Sequence, residues 1–262
     1  MLCDAYGAGV RPRVGPVAYL GIDLAWAQRA RTGLAALDHT GRLVASTSVV
    51  SYDEITAFVA THAPGPVVAA IDAPLVVPNA TGQRVAERAL GDVYRAYDAG
   101  AHPANRSRPL FDPPRAETLA ARFGWSSDPS SSAERVAIEV YPHPAMVALF
   151  GLDRVIPYKA KRRRDLPSLI AAFGVLLDHL ERVCDEPLRL LSSPRWAELR
   201  LVVATAERKV DLRRIEDEVD AIFCAYLAWL WATDRAGMRV FGSLADGYIV
   251  VPSRPLAPPF RR

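Results

Sequence analysis

Three short apolar runs each carry an acidic residue near their C-terminal end. Of all features of the sequence, this one restricts the possible folds most. Apolar runs of this length, each closed by a proline or a polar stretch, predict buried strands. Burying an ionised carboxylate costs free energy unless a cation or hydrogen-bond donors compensate it. Ligand sites of open α/β sheets form at the C-terminal ends of strands, so we expect the three acids to line an anionic pocket there. The runs are Val17–Ala25 with Asp23, Pro66–Ala73 with Asp72, and Arg135–Tyr141 with Glu139.

The order of the remaining segments predicts the fold class. Two further apolar runs, Thr32–Asp38 and Leu43–Val49, follow the first strand, and Tyr52–His62 has helical spacing before the next one. Three antiparallel strands, a helix and a right-handed crossover to parallel strands account for this order. We therefore expect an α/β fold with a mixed five-stranded sheet flanked by helices. Further helices are expected at 82–99, 144–150, 165–184, 194–205 and 215–233, with an extended segment at 247–251.

Composition supports a globular protein and restricts its partners. Of the 262 residues, 50% are hydrophobic and 23% are charged, which is enough to build a large core. We expect a flexible tail at 1–16 and a single domain at 17–262, with an insertion at about 100–134 that is rich in proline, serine and arginine. The net charge of +3 is too small for a protein that coats nucleic acid unspecifically.

The cysteines and the longest apolar run bear on location. The three cysteines form no C-x-x-C pair, a pattern that favours a reducing cytoplasm over a disulfide framework. The most apolar run, Ala221–Thr233, is shorter than the about 20 residues that a membrane helix needs, so we expect no membrane association.

A pair of acids near the start of the last predicted helix completes the candidate site. Asp217 and Asp220 are three residues apart and so share one face of a helix. Hard divalent cations prefer oxygen ligands, and two such ions about 3.5–4 Å apart hydrolyse phosphodiesters. We expect Mg²⁺ or Mn²⁺, with Asp23 on the central strand between the ions. Alternatively, each acid serves only as a turn residue, a helix cap or a partner of a helix dipole. The expected ligands are Asp23, Asp72, Glu139, Asp217 and Asp220.

Four short motifs in this order resemble the RNase H-like superfamily and its RuvC-type resolvases. The resemblance is closer still to a predicted nuclease family catalogued as domain of unknown function 429, and it spans most of residues 17–251. It implies that Asp23, Asp72 and the pair Asp217 and Asp220 hold two Mg²⁺ ions. The long segment between the second and third acidic strands departs from a resolvase, so a preference for four-way junctions does not follow. The motifs are GIDLAW at 21–26, IDAPL at 71–75, EVYP at 139–142 and DEVDA at 217–221.

A basic segment provides a further candidate. Lys159–Arg164 contains five cations, which either follow a phosphate backbone or form a solvated loop. We expect Lys159 to contact the scissile phosphate or a water at the metal. His102 and His143 are candidate proton shuttles, although histidines in such places are more often surface or capping residues.

Three functions compete on this evidence. The first is a metal-dependent nuclease that acts on DNA or RNA. The second is a non-catalytic binding protein that keeps the same fold. The third is an actin-like nucleotide phosphatase, which is disfavoured because that class normally has two such domains and glycine-rich phosphate loops, and this chain shows one set of acids.

Overall fold

The computed structural model describes residues 16–25, 30–161 and 163–260. Most of the predicted flexible tail, Trp26 of the first motif and Arg162 of the basic segment lie outside these ranges. The strands are β1 (Ala18–Asp23), β2 (Thr32–Leu37), β3 (Leu43–Val49), β4 (Val67–Ile71), β5 (Arg135–Glu139), β6 (Met238–Ser243) and β7 (Gly247–Pro252). The α-helices are α1 (Tyr52–His62), α2 (Val85–Tyr94), α3 (Arg115–Phe123), α4 (Pro142–Phe150), α5 (Leu166–Leu188), α6 (Pro194–Ala204) and α7 (Lys209–Thr233).

Strand β1 lies at the centre of a five-stranded sheet with the order β3-β2-β1-β4-β5. The pairs β1/β2 and β2/β3 are antiparallel, whereas β1/β4 and β4/β5 are parallel. The predicted α/β class, with a mixed sheet flanked by helices, is confirmed. Helix α1 joins the antiparallel part to the parallel part, and its first turn is closed by a capping box between Ser51 and Glu54.

Helix α7 packs directly onto the backbone of the two central strands because both carry a glycine beneath it. A Cβ atom on Gly33 would lie 1.7 Å from the carbonyl oxygen of Asp217, and one on Gly21 would lie 1.9 Å from that of Ala221. No side chain fits in that space. These contacts place one turn of α7 across β2 and β1, so its acidic residues come close to the end of β1.

Two elements at the C-terminal end of the chain differ clearly from the sequence prediction. Helix α7 begins at Lys209 rather than at residue 215, so it includes a more polar first turn. Strand β6 was not predicted, because Phe241 is its only buried residue and its sequence lacks an apolar run. It pairs with β7 as a two-stranded antiparallel sheet. Within the described ranges, no helix is long and apolar enough to cross a membrane.

The predicted insertion contacts α2, strand β5 and the segment that follows β1. The backbone N–H of Ala104 donates to Glu87 Oε1 at 3.0 Å, and Ser126 forms a parallel bridge with Val136 of β5. The Arg115 side chain on α3 donates to the carbonyl oxygen of Ala25, just beyond β1. The insertion therefore borders the C-terminal edge of the sheet, where the strand acids lie.

Candidate functional site

The register of β1 and β4 brings Asp23 and Asp72 side by side. Ile22 pairs with Ile71, and the N–H of Asp72 donates to the carbonyl oxygen of Ile22 at 2.8 Å. On the other side of β1, Asp23 pairs with Gly33, which lies directly beneath α7. Since side chains alternate along a strand, Asp23 shares the sheet face of Gly21, and that face is the one that α7 covers.

Helix α7 brings Asp217 and Asp220 to the same place. Asp220 is completely buried. Its Oδ1 accepts a hydrogen bond from the Tyr158 hydroxyl at 2.6 Å, and its Oδ2 lies 2.7 Å from Lys159 Nζ in an ion pair. The four aspartates predicted from β1, β4 and α7 therefore gather at one edge of the sheet. We call Asp23, Asp72, Asp217 and Asp220 the carboxylate cluster.

The four carboxyl groups influence one another electrostatically. Burial raises the pKa of Asp23 well above its ordinary value, Lys159 opposes this shift, and the other three aspartates increase it. Burial and the neighbouring carboxylates also raise the pKa of Asp72 to about 7, again against Lys159. Burial and Asp220 raise the pKa of Asp217 to about 6. Lys159 alone therefore does not compensate the negative charge of the cluster.

Glu216 belongs to the same electrostatic environment, although the sequence analysis missed it. Burial raises the pKa of Glu216 to about 7, with Asp220 and Asp217 adding to the shift and Lys159 opposing it. Its Oε2 accepts from the N–H of Ala160 at 3.2 Å. The available signal was its spacing, because Glu216 lies one helical turn before Asp220.

The structure contradicts the expectation that Glu139 joins the aspartates. Glu139 pairs with Ile71, so register places its side chain on the face opposite to that of Asp72. There Arg84 donates to both of its carboxylate oxygens, at 2.6 and 2.8 Å, and the N–H of Leu75 donates at 2.8 Å. The Glu139 carboxylate is therefore engaged by Arg84, which also binds Glu87, and we remove Glu139 from the candidate metal ligands and catalytic residues.

Lys159 lies inside the cluster, where its ammonium group is paired with Asp220. Burial would lower the pKa of Lys159, but Asp220 and the other acids raise it well above the ordinary value, so the side chain stays protonated. The predicted contact with a scissile phosphate is not tested by this arrangement. A side chain that is 29% exposed at the edge of the cluster can still reach a bound anion.

His143 and Tyr141 lie beside the cluster at the start of α4. The Tyr141 hydroxyl is 3.3 Å from His143 Nδ1. Burial and Lys159 lower the pKa of His143 to about 4, so its imidazole is neutral at pH 7. Burial and Asp72 raise the pKa of Tyr141, so its phenol is protonated.

The chemistry of the carboxylate cluster fits hard divalent cations. All its donors are carboxylate oxygens, which Mg²⁺ and Mn²⁺ accept. Asp23 Oδ2 is buried and has no hydrogen-bond partner, so a polar atom points into the cluster without compensation. In the described part of the chain, however, no three histidine, cysteine, aspartate or glutamate side chains already stand in an arrangement that could hold a metal ion. Metal binding would require side-chain rotations, including release of Asp220 from Lys159.

Comparison with known proteins identifies a family and nothing more specific. A sequence model described as "Protein of unknown function (DUF429)" matches residues 21–242. No curated protein and no solved structure matches the chain. The matched range begins within β1 and ends within β6, so it contains all four members of the carboxylate cluster. Since this match covers most of the chain, the protein belongs to the DUF429 family.

Proposed function

We propose that this protein is a divalent-metal-dependent nuclease that hydrolyses phosphodiester bonds of DNA or RNA. The observation that carries the proposal is the convergence of four aspartates from β1, β4 and α7, with one buried oxygen of Asp23 left without a partner. Strongly shifted pKa values are typical of functional sites, and ligand sites of open α/β sheets form at the C-terminal ends of strands. The same positions, on the first strand, the fourth strand and the last long helix, support an RNase H-like fold.

Asp23, Asp72, Asp217 and Asp220 would hold Mg²⁺ or Mn²⁺. When bound, such ions supply an activated water and stabilise the charge that develops on the leaving oxygen. Tyr158 holds the carboxylate of Asp220 in place through its 2.6 Å hydrogen bond. If Asp220 held an ion, the Lys159 ammonium, which is now paired with Asp220, would be free to contact a phosphate.

The same residues support a second candidate, a non-catalytic binding protein. The Lys159 ammonium lies 2.7 Å from Asp220 Oδ2 and partly compensates the cluster without any metal. In that case Lys159 would replace the ion permanently, and divalent metals would not bind. Metal affinity therefore separates the two candidates. An actin-like nucleotide phosphatase gains no support from any contact of the described residues.

The two cysteines within the described ranges bear on the compartment. Cys184 and Cys224 are both buried and free. Burial raises the pKa of both thiols, so they remain protonated and unreactive. They act as apolar core residues, and we propose the cytoplasm as the location of the protein.

A panel of nucleic-acid substrates tests the proposal. Single-stranded, duplex, hybrid and branched substrates are incubated with the protein in Mn²⁺, in Mg²⁺ and in EDTA. We expect cleavage of at least one substrate with either metal and none in EDTA. Asp23→Asn should lose at least about 1,000-fold of this activity, because it removes a central ligand carboxylate.

Glu134→Gln is the matched control, since Glu134 is exposed at the opposite end of β5 and its side chain makes no contact with the cluster. It should cleave as the natural chain does. Mn²⁺ should also raise the melting temperature of the natural chain but not that of Asp23→Asn. Cleavage in EDTA that Asp23→Asn leaves intact would refute the nuclease proposal. A melting temperature that Mn²⁺ does not change would favour the non-catalytic candidate.

A further inference from the structure

A cavity of about 730 Å³ adjoins the carboxylate cluster, and neither candidate function has yet used it. Its walls are α2, the segment 98–102, the start of α4, the segment 154–157, and Lys159, Lys161 and Arg164. It reaches the cluster through Lys159, which lines the cavity and is paired with Asp220. A ligand in this cavity therefore lies next to the candidate metal ligands.

The cavity wall carries more positive than negative charge, even after the ion pairs of its charged residues are taken into account. Its two acids are already engaged, because Glu87 accepts from Arg84 and Asp98 pairs with Arg154. Three other cations also line the cavity, and among the described residues none of them forms an ion pair with a carboxylate. These three cations are Arg95, Lys161 and Arg164.

Guanidinium and ammonium groups that have no carboxylate partner in a concave site bind anions, and phosphate is an anion that both groups recognise. His102 lines the same wall and can donate to a phosphate oxygen. At the inner end, the neutral imidazole of His143 and the hydroxyl of Tyr141 add uncharged polar groups. The wall therefore offers cations for phosphate and polar groups for the rest of a nucleotide.

The size of the cavity bears on what it can hold. Clefts and cavities of about 300–1,000 Å³ bury most of the surface of a small ligand. With a volume of about 730 Å³ and several chain segments around it, this cavity can hold a single nucleotide.

We propose that this cavity is a phosphate-recognising pocket for one nucleotide, with Arg95, Lys161 and Arg164 as its anion-binding residues. The inference rests on the proposed nuclease function for its connection to catalysis. The nucleotide is either the terminal one of a strand, which places the adjoining phosphodiester at the carboxylate cluster, or a free nucleotide. In the first case the protein attacks strands from their ends.

Calorimetric titration in EDTA tests the pocket without any requirement for activity. The probes are a nucleoside monophosphate and inorganic phosphate. We expect both to bind the natural chain, and the double variant Arg95→Gln/Lys161→Gln to bind at least about tenfold more weakly. Arg42→Gln is the matched control, because Arg42 is also exposed but lies in the β2–β3 turn at the opposite edge of the sheet. It should bind as the natural chain does.

A second measurement identifies the source of the nucleotide. A single strand of fixed sequence, labelled internally, is offered in linear form and closed into a circle, with Mn²⁺. Faster cleavage of the linear form, lost in the double variant, shows that the pocket takes strand ends. Equal cleavage of both forms, together with monophosphate binding, assigns the pocket to a free nucleotide. Failure of both probes to bind, or equal binding by the double variant, would overturn the pocket. Absence of cleavage would overturn only the nuclease proposal, since titration does not depend on it.

Discussion

Two groups of buried carboxylates lie at the same edge of the sheet, on opposite faces, and they are compensated in different ways. Glu139 receives three hydrogen bonds, two of them from Arg84, which lower its pKa against the larger effect of burial. Asp23 and Asp72 share one ammonium group with two further aspartates, and their pKa values are raised. Both groups end strands of similar sequence, so position in a strand alone does not distinguish a structural acid from a functional one.

Arg84 shows what a buried charge does when the fold uses it for stability. Besides Glu139, it binds Glu87 and the carbonyl oxygen of Val76, while Glu87 also accepts from Ala104 of the insertion. This network ties α2, the segment after β4 and the insertion to β5. Among the described residues, Asp220 of the carboxylate cluster is held by Tyr158 and Lys159, and the mutual repulsion of the four aspartates lowers the stability of the folded state. Proteins retain that kind of cost where function requires it.

The largest effect on stability should come from Arg84→Leu. Removing one partner of a buried ion pair leaves an uncompensated charge, which costs about 3–5 kcal/mol of the free energy of unfolding. Urea denaturation measures it, with Arg88→Leu as the control, because Arg88 is exposed on the same helix and should cost less than about 1 kcal/mol. If the two variants lost the same free energy of unfolding, the Arg84–Glu139 pair would not be a special contribution to stability.

Lys159→Gln should reduce cleavage by about 100-fold, the usual cost of losing one group that stabilises transition-state charge. Lys159→Arg should recover part of the rate because it keeps the cation. Steady-state rates in Mn²⁺ are the measurement. Full activity in Lys159→Gln would mean that this lysine only compensates Asp220, and the comparison would then rest on the aspartates alone.

Asp72→Asn should stabilise the protein in EDTA at pH 8, by about 2 kcal/mol. The pKa of Asp72 is raised to about 7, each unit of such a shift corresponds to about 1.4 kcal/mol, and partial solvent access reduces the total. Urea denaturation reads the effect, and Glu134→Gln should show none. A destabilised Asp72→Asn would indicate that Asp72, like Glu139, contributes to the stability of the fold.

The smallest effect should be a pH dependence of stability in EDTA. Because the folded-state pKa of Asp72 lies above its ordinary value of 3.8, the folded state binds its proton more tightly than the unfolded state. The stability contribution of this group is greatest below about pH 4 and is lost as the pH rises to about 7. Between pH 5 and 7 the contribution of Asp72 to the melting temperature should therefore fall, and Asp72→Asn should show a shallower pH dependence. Identical slopes would contradict the raised pKa.

The sequence predicted the sheet well because each core strand is an apolar run bounded by turns. It predicted helix α1 to the residue from the spacing of its apolar residues, and the structure adds a capping box between Ser51 and Glu54 at its beginning. Strand β6 was not predicted because its conformation depends on pairing with β7 and not on its own composition. Elements stabilised mainly by a partner strand leave little periodic signal in a single sequence.

The acids were predicted on the same basis, but their partners were not. Alternation along β1 places Asp23 on the same face as Gly21, and this can be read from the sequence alone. The face of Glu139 depends on the register between β4 and β5, which sequence does not provide. Its pairing with Arg84, 55 residues away along the chain, likewise depends on tertiary packing.

The glycines beneath α7 have a consequence for how this site can change over time. Gly21 and Gly33 set the height of the helix above the strands through main-chain contacts that involve no charge. The packing of the α7 backbone on β1 and β2 therefore sets how far Asp217 and Asp220 lie from Asp23. A related chain could lose all four aspartates and still keep the same packing of α7 on β1 and β2. Other side chains could then take the place of the aspartates. One added methyl group on either strand would instead dismantle the site while every acid remained.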